Sequence, residues 1–406
     1  KPEEGSGGSF ILGSLSLGHV CVHWFQQLWP VIIPSVKASL GLSNVEIGIL
    51  TSVRQFASGP LLALPSGLIS DMFRRRTALI LASAFIAFGF SHFLVAKAET
   101  FSLIIPCVAL LGVGTALWHP SAMGTLSRRF PERRGSALAV HGVGASIGDT
   151  IAPLAIGFLL LTLSWQRLLE LHLVPAILIA LLLWRGLDSV YKKQVQENQR
   201  PSLRSYWEDV KDLMQNHVVM AIITVNILTG MARLTIMTFL PIYIQDDLGY
   251  SALGLGFFWG LLHVMGAISQ PVMGYLSDRI GRKPVLVSGT ALTMLSAFAL
   301  GLVRPGIPLF LVVLVKGAFS FSLHHIFVAA ALDTTRGVAQ STVVSLIYGA
   351  GFIGTVSPYL AGLIADRYGI QSAFLFGGVV LIIPTILLMV ARFSSPEQVR
   401  RGRLPK

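Results

Sequence analysis

The residues of this chain that could do chemistry stand isolated inside apolar runs. His19 and His23 are one helical turn apart, the i, i+4 spacing at which two imidazoles can ligate a metal. No supporting thiolate or carboxylate cluster accompanies them in the sequence, so no metal is expected there. Asp149 is the one carboxylate near the middle of an apolar run. A carboxylate at bilayer depth can carry a proton, or it can be the fixed counter-ion of Arg54 or Arg233. The residues alone leave both roles open. Arg54, Arg233 and Lys316 are cations in the same kind of surroundings. Arg54 falls about 14 Å into its run, near the middle of a bilayer.

Three cations and several histidines against one carboxylate favour an anionic or zwitterionic small molecule, such as a phosphonate, a carboxylate or a phosphorylated metabolite. The balance argues against lipophilic cations. The candidate binding set is Arg54, Arg233 and Lys316, with His23, His119, His263 and His324 and the polar Gln26, Asn226 and Tyr348. Single histidines of membrane helices also serve as hydrogen-bonded packing residues, and tryptophans such as Trp24, Trp118 and Trp259 can pack either a substrate or a neighbouring helix. No paired catalytic aspartates, zinc motif or Ser/His constellation is present, so an enzyme is not expected.

The elements that hold these residues follow from composition. Of 406 residues, 53% are apolar and 12% charged, and mean hydropathy is +0.70. A soluble domain carries about 25% charge. Lysine and arginine number 31 against 19 acids, a net charge of +12. A nucleic-acid binder would account for the charge but not for the apolar content. A bilayer protein accounts for both if the cations lie on one side. Cys21 and Cys107 both lie in apolar runs and form no disulfide or metal framework.

Twelve apolar segments are expected at about 10–40, 45–70, 77–96, 101–126, 136–163, 168–186, 218–246, 251–277, 285–303, 308–331, 339–367 and 370–392. The polar stretch 187–217 divides them into two sets of six, and its Leu203–Met214 part has the spacing of a helix lying along the membrane surface. The expected organisation is an N-terminal tail 1–9, a six-helix bundle 10–186, a cytoplasmic linker 187–217, a second bundle 218–392 and a cytoplasmic tail 393–406. No cleavable signal peptide is expected. With both termini cytoplasmic, twenty-three basic residues face the cytoplasm and five face outward. That asymmetry fits a multi-pass protein of the inner (cytoplasmic) membrane, and a helix count changed by one would destroy it.

The halves repeat. Gly67-Leu-Ile-Ser-Asp71-Met-Phe-Arg-Arg75-Arg76 and Gly274-Tyr-Leu-Ser-Asp278-Arg-Ile-Gly-Arg282-Lys283 follow the second segment of each half, and Gly144 and Gly351 keep the same offset. These loops resemble the signature of the major facilitator superfamily, G-x-x-x-D-R-x-G-R-[RK]. The second copy is complete; the first departs at Met72 and Arg74. The resemblance covers about 10–392. Leu110-Leu-Gly-Val-Gly-Thr-Ala-Leu-Trp-His119-Pro120, Arg133-Arg-Gly135 and Gly142-Val-Gly-Ala-Ser-Ile-Gly148 are most similar to the fosmidomycin-resistance type of exporter. Gly144-x-x-x-Gly148 also resembles the fifth-helix motif of drug–proton antiporters, although Asp149 stands where that motif has proline.

The resemblance implies an all-α membrane fold of two pseudo-symmetric six-helix halves with the substrate site near the midplane. It implies alternating access, with Gly67, Asp71, Arg75, Gly274, Asp278 and Arg282 forming gating loops. Gly67 and Gly274 would let helices approach closely. Helix-breaking Pro34, Pro120, Pro153, Pro241 and Pro358 would supply bends. The expectation is a proton-coupled exporter of small anionic compounds; fosmidomycin, a phosphonate, fits the cation excess. The partners would be a small-molecule substrate, protons and lipid, with Asp149 the proton-coupling residue, no cofactor, no nucleic acid and a monomeric state. A proton-coupled importer of an organic anion uses the same residues. A receptor or sensor on the same fold is the alternative from another class.

Overall fold

The computed structural model describes residues 4–59, 62, 74–192, 211, 213–334 and 350–391. Every element among them is helical. The first unit contains α1 (Glu4–Leu40), α2 (Asn44–Ser58), α3 (Thr77–Lys97), α4 (Phe101–Arg129), α5 (Arg134–Leu159) and α6, which runs as Trp165–Leu171 and Leu173–Lys192. The C-terminal series is α7 (His217–Ile242), α8 (Ala252–Ile280), α9 (Arg282–Leu300), α10 (Ile307–Ser320, then Leu323–Thr334), α11 (Ser357–Tyr368) and α12 (Ile370–Val380, then Ile382–Val390). Nine described spans are long and apolar enough to cross a bilayer. Large side chains such as Leu182 and Val174 on α6 are exposed, as lipid-facing residues would be.

Two compact units result: Lys1–Glu197 with Ile244–Gly260, and Asn198–Tyr243 with Leu261–Lys406. The tip of α8 therefore packs with helices that precede the polar stretch. The contact is made by small residues: a Cβ on Gly256 would come within 3.3 Å of Leu154 Cα, and one on Gly157 within 3.0 Å of Leu253 Cα. The expected surface helix at Leu203–Met214 falls largely outside the described residues, as do Gly67, Asp71 and Tyr348.

Within the first unit, α1 and α5 meet backbone to backbone. A Cβ on Gly144 would strike the Ser16 carbonyl, and one on Gly148 would lie 2.8 Å from His23 Cβ and 3.3 Å from the Trp24 nitrogen. Glycines spaced i, i+4 thus form a flat stripe into which α1 settles, the small-residue packing of membrane helices. Pro34, Pro120, Pro153 and Pro241 sit inside continuous helices, while Pro358 occupies the first turn of α11. Pro358 therefore opens a helix and does not bend one, since a first-turn position needs no N–H donor.

In the second unit the signature loop makes a clasp. Gly281 has φ 99°, a left-handed conformation that favours glycine, and turns the chain from α8 into α9. Arg282 then pairs with Asp278, donates from Nη1 to Ser277 Oγ (2.6 Å) and from Nε to Asp333 Oδ2 (3.0 Å). One guanidinium so joins the ends of α8, α9 and α10. Gly274 does not make the expected close approach with any described residue, because no atom lies within 4 Å of where its Cβ would be. Arg75 is exposed in a short 3₁₀ turn.

Gly148→Val should destabilise the protein by about 1–3 kcal/mol through overpacking. Gly142→Val, on the same helix but facing open space, should melt like the wild type in a thermal-unfolding comparison in detergent. Equal melting of the two variants would refute the α1–α5 contact.

Candidate functional site

In the first unit the α1–α5 contact brings a polar cluster together. His23 Nδ1–H donates to Asp149 Oδ1 at 2.9 Å, and the Gln27 amide donates to the same oxygen at 2.5 Å. The Trp259 indole N–H donates to Gln27 Oε1 at 2.7 Å. Asp149 is thereby held by an imidazole and an amide that are both carried on α1. It makes no ion pair with Arg54: among the described residues Arg54 has no carboxylate partner, so that proposed counter-ion role is not realised.

Three further histidines surround this pair. His19 Nδ1–H donates to the His141 carbonyl at 2.8 Å, and the two rings stack with centroids 3.9 Å apart. His119 Nδ1–H donates to the Thr115 carbonyl at 3.0 Å. The Nε2 atoms of His19 and His23 face one another at 3.2 Å. Gln26 donates to Thr115 Oγ1 at 3.1 Å, which ties the neighbouring turn of α1 to α4. Trp118 is fully buried between Gly18 and Phe85 and so serves packing. Trp24 donates to His172 Nε2 at 3.0 Å.

The second unit holds a different arrangement. Lys316 is 0% exposed and its Nζ has no hydrogen-bond partner among the described residues. Arg233, an exposed side chain of α7, lies within electrostatic reach of both Lys316 and His324. His324 Nδ1–H donates to Asn226 Oδ1 at 3.0 Å, and Asn226 is buried. Four of the residues expected to bind substrate are thus neighbours on α7 and α10. His263 instead packs its ring against Phe321, with centroids 4.9 Å apart.

Gln27, His19, His141 and Asp333 take larger parts than their sequence signals suggested. Gln27 could have been found from the same helical spacing that pairs His19 with His23, since it lies one turn beyond His23. Asp333 gave no signal, because its partner Arg282 is remote in sequence and in a different helix.

A sequence profile described as Major Facilitator Superfamily matches residues 15–272 and 264–405. The fosmidomycin resistance protein of Escherichia coli (strain K12) is 25% identical over 90% of this chain and 88% of its own length. The protein named "Probable nitrate transporter NarT" of Staphylococcus aureus (strain JH9) is 22% identical over 68% of each chain. The crystal structure of a bacterial homolog to the human lysosomal transporter Spinster, inward-facing and unoccupied, matches with a TM-score of 0.79 at 14% identity, covering 99% of both chains. The all-helical, twelve-span fold expected from the sequence is therefore the fold of this chain.

A buried amine without a partner costs stability. Lys316→Met keeps the volume and removes that cost, so its melting temperature should rise, by about 1–3 kcal/mol of stability. A lower melting temperature would show that Lys316 holds a structural contact.

Proposed function

The chain belongs to the Major Facilitator Superfamily, and on that premise we propose that it is a proton-coupled exporter of small anionic or zwitterionic compounds, working by alternating access. The observation that carries this reading is Lys316, an amine enclosed with no hydrogen-bond partner among the described residues and close to Arg233, which also reaches His324. A stable fold does not bury such a group for packing alone; an arriving anion supplies the missing partner. Arg233, being exposed, can meet the ligand first, and Asn226 and His324 add hydrogen-bonding edges. A phosphonate, as in the resistance named for the Escherichia coli relative, and an oxyanion, as in the name of the Staphylococcus aureus one, share this chemistry.

Proton coupling is assigned to Asp149. It is a carboxylate in mid-helix, bonded to His23 and Gln27, so a proton arriving there changes the hydrogen bonds that join α1 to α5. No cofactor is needed, because an ion gradient supplies the work. The excess of basic residues along even-numbered connections supports an inner-membrane location with both termini cytoplasmic. A proton-coupled importer of an organic anion would use the same groups with the opposite sign of coupling.

Flux of fosmidomycin into liposomes reconstituted with the purified protein tests the reading. An acidic lumen should drive uptake, and a protonophore should stop it. Uptake driven by an alkaline lumen would establish the importer instead. Asp149→Asn should lose the response to the gradient. Arg233→Gln and Lys316→Met should each raise the half-saturating concentration about tenfold, the equivalent of one charge-assisted hydrogen bond. Unchanged half-saturation in both variants would remove the anion site.

A further inference from the structure

The histidine cluster of the first unit has a hydrogen-bonding pattern that transport of an anion does not require. A carbonyl oxygen only accepts, so His19 must carry its proton on Nδ1 toward His141, and His119 must carry its own on Nδ1 toward Thr115. An ionised Asp149 likewise takes the Nδ1 proton of His23. In their neutral forms, all three imidazoles are left with a lone pair on Nε2. Two of those lone pairs point at each other across 3.2 Å. Facing acceptors repel unless something positive lies between them.

A ring nitrogen from each of His19, His23 and His119 lies within 4.8 Å of the other two. In a tetrahedral site with metal–nitrogen bonds near 2.05 Å, ligand nitrogens stand about 3.3 Å apart. The His19–His23 distance already matches, and the His119 ring centroid stands 5.4 Å from that of His19 and 6.0 Å from that of His23. The groups on the far side of each ring are those that orient metal-bound histidines: two backbone carbonyls and a carboxylate. Asp149, His23 and the open Nε2 form a carboxylate–histidine–metal series.

We propose that His19, His23 and His119 bind one divalent transition-metal ion through Nε2, with Asp149 and the carbonyls of His141 and Thr115 as the supporting shell. Three nitrogen donors suit Zn²⁺, Co²⁺ or Ni²⁺ and do not suit Ca²⁺ or Mg²⁺, which take oxygen. The fourth coordination position is left open to water or to an anion. His19 is buried while His23 and His119 are half-buried, so the metal would be reached from their side. The site does not depend on the transport reading, since metal binding is measured without flux.

The test uses tag-free, full-length protein in detergent, stripped with chelator and titrated with Co²⁺. The visible absorption of tetrahedral Co²⁺ should appear and saturate at one equivalent, and Zn²⁺ should displace it. His23→Ala and His119→Ala should abolish the absorption while their elution profiles remain those of folded protein. His325→Ala, which alters a histidine outside the cluster, should leave it unchanged. Asp149→Asn should weaken Co²⁺ about 10–100-fold, as loss of a supporting carboxylate does. Absence of the absorption in the wild type would overturn the proposal and assign the close approach of the rings to a shared proton. Absorption that survives in both His23→Ala and His119→Ala would overturn it as well.

Discussion

The polar chemistry of the first unit depends on how closely α1 can approach α5. Gly144 and Gly148 leave no side chain between the two backbones, and His19, His23 and Gln27 are carried across to His141 and Asp149 as a result. With any larger residue at either glycine, the histidines would stand off by the width of a methyl group, beyond hydrogen-bond reach. Dispersion between close-packed backbones supplies the attraction that the hydrophobic effect cannot give within a bilayer. The polar contacts then fix the register of one helix on the other.

The second unit solves its problem differently. Its cations include Arg233, Lys316 and Arg282, and Arg282 is clasped by Asp278 and Asp333. There the charge is matched, and the guanidinium ties three helix ends. At Lys316 the amine is enclosed and has no hydrogen-bond partner among the described residues. On the proposed anion-binding reading, Arg282 serves structure and Lys316 serves recognition, and the two differ in how completely each is satisfied.

Much of this was legible from the chain itself. Twelve apolar segments, the repeat of the Gly67 and Gly274 loops and the asymmetry of basic residues identify the fold, because bilayer thickness and backbone hydrogen bonding permit few alternatives. Arg233, Lys316, His324 and Asn226 were identifiable as costly residues at bilayer depth, and they do come together. Their grouping was not readable, since it depends on how α7 and α10 rotate about their axes. Arg54 was one of two candidate counter-ions for Asp149 by its depth; depth says nothing of azimuth, and His23 and Gln27 hold the carboxylate. The metal geometry was hidden for a related reason. Two of its members are adjacent turns of one helix, but the third arrives from α4, and the ring tautomers follow only from the acceptors each Nδ1 meets.

Gln27 has a consequence of its own. Its side-chain amide has two unlike ends, and both are engaged: the nitrogen on Asp149, the oxygen on the Trp259 indole. The two ends cannot be exchanged independently, because a rotation that frees one withdraws the other. The amide is therefore a logical conjunction written in hydrogen bonds. A carboxylate on the fifth helix and an indole on the eighth are thus joined through one side chain.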